Sequence, residues 1–135
     1  MNLLWTRRVF LASAVYDAVL GVAFLVAHAA IYDALGITQP NHPAYLRFPA
    51  LLLILFAFGF TLVYLDPKRH EGILWMGIGL KAAYIAVVLW HRLGEIGLPD
   101  IYVPFAWIDL AFLAAFIAGA RTVARLPTHP APGVG

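Results

Sequence analysis

The stretch Ile73 to Leu93 is long and apolar, and a single cation, Lys81, interrupts it near its middle. At helical rise it reaches about 30 Å, the thickness of a bilayer's hydrocarbon core. A lysine at that depth is costly unless a carboxylate, a carbonyl or water satisfies it. Only two carboxylates sit well inside other apolar stretches, Asp17 and Asp109. A chain of this kind is therefore constrained to bring separate helices together around one ammonium.

Composition points the same way. Hydrophobic residues make up 63% of the 135 and charged residues only 12%, about half the charged fraction of a soluble domain. The expected fold class is all-α, an integral membrane four-helix bundle, since each span uses roughly 20 residues. A net charge of +2, with the basic residues at span ends, gives no case for nucleic-acid binding. The chain has no cysteine, which removes disulfides, thiol redox chemistry and cysteine metal sites.

The hydropathy pattern predicts one domain over residues 1–126, with spans at about 9–30, 48–65, 73–93 and 104–120, followed by a Pro/Gly-rich tail over 127–135. Thr6-Arg7-Arg8-Val9-Phe10-Leu11 resembles a twin-arginine signal. However, the apolar region behind it is long for a signal peptide and contains Asp17, so it reads as an uncleaved first helix. Ile31 to Leu46 reads as a loop, broken by Gly36, Pro40 and Pro43. Asp66-Pro67 ends the second helix, because proline disfavours a helical residue before it. Pro104 opens the fourth, where a missing N–H costs nothing.

Arg7, Arg8, Lys68, Arg69, Arg121 and Arg125 fall on one side of this topology, and only Arg47 and Arg92 on the other. The expected location is the bacterial inner membrane with both termini cytoplasmic. Trp5, Trp75, Trp90, Tyr45, Tyr64 and Tyr102 lie near span ends, as an interfacial aromatic belt would.

Asp17 and Lys81 each lie about nine residues inside their helices from the cytoplasmic side, or roughly 14 Å. Asp109 enters from the other side, somewhat nearer the outer face. The candidate site is thus a buried polar cluster of Asp17, Lys81 and Asp109, with Tyr84 one turn beyond Lys81. With both carboxylates ionised it carries one surplus negative charge, relieved by a shared proton or by a cationic or proton-donating ligand. The same residues also suit a purely structural pair that fixes helix register, or a proton path.

His28 shares a stripe with Asp17 and Gly21, and His91 ends the third span on the same outer side. Two such histidines could ligate a haem or a metal, but neither lies deep, and ordinary interfacial hydrogen bonds are the expected role. No metal site is assigned, and the cofactor, with haem or quinone as candidates, is left open. Gly77, Gly79, Ala82, Ala83 and Ala86 on the third helix, with Ala14, Ala18 and Gly21 on the first, predict close helix packing. The bulky Phe105/Phe112/Phe116 stripe could face lipid or a partner protein, and lipid is the expected neighbour. Tyr16-Asp17 and Ile108-Asp109 begin a faint internal repeat, too loose to establish inverted symmetry.

Asp17 in the first span, Tyr64-Leu-Asp66-Pro67 at the end of the second, Gly79-Leu-Lys81 in the third and Asp109 in the fourth resemble the DoxX-like group of small four-helix bacterial membrane proteins. The resemblance covers about residues 9–120. It implies kinship with quinone-linked oxidoreductase subunits, maturation factors and, more distantly, sterol-isomerase-like domains. The thiol-redox members' cysteines are missing, and no catalytic residue carries over.

Two functions compete. The first, favoured by the short chain and bulky apolar faces, is a non-catalytic accessory subunit of a larger respiratory or photosynthetic complex, with the bilayer and other membrane subunits as partners. The second is a binding protein or enzyme acting on a lipophilic ligand or quinone, held by Asp17, Lys81, Tyr84 and Asp109.

Overall fold

The computed structural model describes residues 1–94 and 97–127. The expected tail lies outside the described residues apart from Pro127, as do Glu95 and Ile96 of the expected loop before the fourth helix. Four helices account for most of the rest: α1 (Leu3–Ala34), α2 (Ala44–Leu65), α3 (Glu71–Leu93) and α4 (Tyr102–Ala124). Each is long and apolar enough to cross a membrane, as the hydropathy pattern predicts.

The helices outrun the apolar stretches, because charge ends a hydropathy window without ending a helix. In α1, the Asn2 side chain accepts the Trp5 N–H at 2.9 Å and caps a helix that already includes Arg7 and Arg8. It ends before Gly36, whose φ of 62° suits only glycine without strain. The loop expected over 31–46 shrinks at both ends: Ile31–Ala34 continue α1, and Ala44–Leu46 start α2. The fourth helix spans 23 residues instead of the 17 expected. Pro104 sits third in it, still within the first turn, and Arg121 in the last turn complements the helix dipole.

α1 packs against α2 and α4, and α3 packs against the same two, so α1 and α3 stand on one diagonal and α2 and α4 on the other. Short connections make sequence neighbours antiparallel. Two hydrogen bonds gather the start of the chain with the ends of α4 and α2. Thr122 Oγ1 donates to the Met1 carbonyl at 2.8 Å, and Arg7 Nε donates to the Tyr64 carbonyl at 2.6 Å. Arg7, Arg8, Lys68, Arg69, Arg121 and Arg125 therefore share one end of the bundle, here the basic end.

The half next to the basic end is filled at its centre. An open groove of about 500 Å³ lies on its surface, between Trp5, Arg8 and Val9 of α1 and Ile108, Phe112 and Ala115 of α4. Phe10 stacks on Phe116 with centroids 4.1 Å apart, and Phe60 meets both edge-on at 5.6 and 5.2 Å. All three rings are fully buried, with Val63, Leu74 and Val123 beside them. Gly77 makes room, since a Cβ there would lie 2.5 Å from the Phe60 ring.

Two expectations about faces are corrected. Phe116 faces the core rather than lipid, and Phe112 is partly buried against it. Asp109, Phe112 and Phe116 share one helical face, so turning Asp109 toward a cation turns the phenylalanines inward too. On α3 the buried face is Leu74, Gly77, Lys81 and Val88, while Gly79, Ala82, Ala83 and Ala86 point outward. Close packing on α1 involves Ala14 and Gly21, as expected.

Candidate functional site

The ion cluster forms at mid-bundle. Lys81 Nζ lies 2.8 Å from Asp17 Oδ1 and 3.0 Å from Asp109 Oδ1. The contact with Asp17 is a hydrogen bond that crosses the α1/α3 diagonal, while the contact with Asp109 is an ion pair outside hydrogen-bond geometry. Lys81 is 1% exposed, Asp17 0% and Asp109 6%. Burial this complete is tolerable only because each charge faces an opposite one. The ammonium also stands over two rings, 5.2 Å from the Tyr16 centroid and 5.6 Å from that of Phe112, which adds electrostatic attraction from their faces.

Beyond the cluster, away from the basic end, the bundle is hollow. A cavity of about 290 Å³ is lined by all four helices. α1 contributes Tyr16, Asp17, Leu20 and Phe24, and α3 contributes Leu80, Lys81 and Tyr84. α4 adds Tyr102, Phe105 and Asp109, and α2 closes the wall with Pro49, Ala50 and Leu53. The walls are apolar or aromatic and the charges are gathered at one level, the arrangement expected of a small-molecule pocket. Tyr45 and Leu52 also line it and are 65% and 36% exposed, so the cavity reaches the bundle surface beside α2.

Polar ties hold three of the helices around this half. The Tyr32 and Tyr102 hydroxyls share a hydrogen bond at 2.5 Å, and Tyr84 donates to the Tyr102 carbonyl at 3.2 Å. These link α1 and α3 to the start of α4. Among the described residues, no side-chain hydrogen bond joins Ala44–Leu53 of α2 to another helix. Instead α2 is held by close approach: a Cβ on Gly21 would lie 2.8 Å from the Ala50 carbonyl and from Ile54 Cγ1.

All four residues of the expected cluster therefore line one cavity, with Lys81 contacting both carboxylates directly. The outer histidines do not join it. His28 is buried with Nδ1 facing the Phe24 carbonyl at 3.2 Å, and exposed His91 does the same with Val87 at 2.9 Å. No group of three or more ligating side chains able to hold a metal occurs among the described residues. Sequence reading missed Tyr16, Tyr102 and the α2 wall. Tyr16 precedes Asp17, and Tyr102 lies two turns before Asp109 on the same face; both could have been found by following the charged faces. Pro49, Ala50 and Leu53 carry no such signal.

No family model matches the chain, and neither a curated protein nor a solved structure shows significant similarity to it.

Proposed function

We propose that this is a multi-pass protein of the bacterial inner membrane, with both termini cytoplasmic, that holds a lipophilic small molecule in the cavity beside Asp17, Lys81 and Asp109. One observation carries the reading: the buried Asp and Lys side chains among the described residues and the hollow half of the bundle coincide, so the cavity has an apolar body and a polar floor. A volume of about 290 Å³ is near the lower end of ligand pockets, roughly 300–1,000 Å³. The rim at Tyr45 and Leu52 gives a ligand access from the bilayer, beside α2. Six basic residues at the end opposite the cavity support the orientation. Three positions behind the DoxX-like resemblance, Asp17, Lys81 and Asp109, form the floor, so the proposed kinship and the proposed binding share residues.

The accessory-subunit reading draws on the outward apolar side chains, among them Trp90 and Trp107, 79% and 68% exposed. Bilayer lipid would cover the same surface, so the cavity weighs more. Native mass spectrometry of protein extracted mildly from its own membrane tests the two. The binding reading expects one small molecule retained per chain. Other polypeptides attached, with the cavity empty, would favour the subunit.

A further inference from the structure

We infer that the cavity takes a lipophilic amine, a cationic hydrogen-bond donor on an apolar body, rather than a carbonyl-headed or anionic amphiphile; this rests on the binding reading above. Of the donors around the cavity, those of Lys81, Tyr84 and Tyr102 are already engaged, while the Tyr16 and Tyr45 hydroxyls make no hydrogen bond among the described residues. Lys81 is matched by two carboxylates, Tyr84 donates to the Tyr102 carbonyl, and the Tyr102 hydroxyl is bonded to Tyr32. The carboxylates, though paired with Lys81, keep spare accepting capacity. Among the described residues Asp17 Oδ2 is buried without a hydrogen-bond partner, and Asp109 Oδ1, in a side chain 9% exposed that lines the cavity, meets Lys81 only as an ion pair.

Two carboxylates against one ammonium also leave room for a second positive charge. A ligand ammonium beside Asp109 would complete a two-against-two cluster, with the aromatic rings of Tyr16, Tyr84 and Phe105 lining the same cavity. A ketone or quinone head would bring only acceptors, leaving the carboxylate charge uncompensated even where a Tyr16 or Tyr45 hydroxyl donated to it, and a fatty acid would add a third anion.

The test is native mass spectrometry of the full chain in neutral maltoside micelles with four probes of matched chain: dodecylamine, dodecan-1-ol, tridecan-2-one and dodecanoate. The expected result is one dodecylamine per chain, bound at least about tenfold more tightly than tridecan-2-one, with dodecan-1-ol between them and no dodecanoate. Asp109→Asn should bring the amine down toward the ketone; if that variant does not fold, the wild-type series decides alone. Equal binding of amine and ketone, or binding of dodecanoate, would overturn the inference while leaving the binding reading standing. Failure of all four probes would overturn both.

Discussion

The two halves of the bundle are built from the same four helices in the same ring, yet the centre of one is filled and the centre of the other hollow. In the basic half, three buried phenylalanines from α1, α2 and α4 interlock over Gly77 of α3. In the other half α2 walls the cavity with Pro49, Ala50 and Leu53, while the remaining helices place Asp17, Lys81 and Asp109 at its floor. Helix convergence is common to both halves and is secured by the ion cluster between them. What differs is side-chain size on α2. A bundle can thus be held together by charge at one level, filled by aromatic rings below it and left open above it.

Substitutions can break that comparison, and the largest effect is expected at the boundary. Lys81→Met leaves two buried carboxyls without their cation, and removing one partner of a buried ion pair costs about 3–5 kcal/mol. Replacing all three charges together, Asp17→Leu, Lys81→Met and Asp109→Leu, should recover most of that loss while abolishing ligand binding. Thermal unfolding in micelles measures both. If Lys81→Met unfolds like the wild type, the cluster does not hold the bundle.

Phe116→Ala attacks the filled half alone. Comparable core truncations cost about 3–5 kcal/mol in water, and the lower end is expected here because lipid removes the transfer component. Ligand retention should survive, since Phe116 does not line the cavity. Gly21→Leu sets a side chain against the Ala50 carbonyl and should cost about 1–3 kcal/mol as overpacking. Because it displaces a cavity wall, it should weaken binding more than its stability loss explains. Arg92→Ala removes an ion pair to Asp100 whose side chains are 52% and 85% exposed. Its expected effect is below about 1 kcal/mol, with binding unchanged.

The fold and the charged floor were legible for one shared reason: burying Lys81 in an apolar stretch demands a carboxylate, and few were available. That demand predicts the three-helix contact, and through Asp109 it could have predicted the inward turn of Phe112 and Phe116. Expecting those rings to face lipid treated the Phe stripe separately from the aspartate on its own face. The start of α1 and the end of α4 were hidden because Arg7, Arg8 and Arg121 are polar but helix-compatible. The cavity was not legible at all. It depends on what is missing from α2 at one level, and Pro49, Ala50 and Leu53 look like any other apolar residues in a span.

The most direct measurement compares wild type with Leu53→Trp, which fills the cavity from α2 without touching the ion cluster, for dodecylamine binding by native mass spectrometry. The expected result is one ligand per wild-type chain and none on the variant, with thermal stability nearly unchanged. Equal binding to both chains would contradict the claim that the hollow half is the binding site.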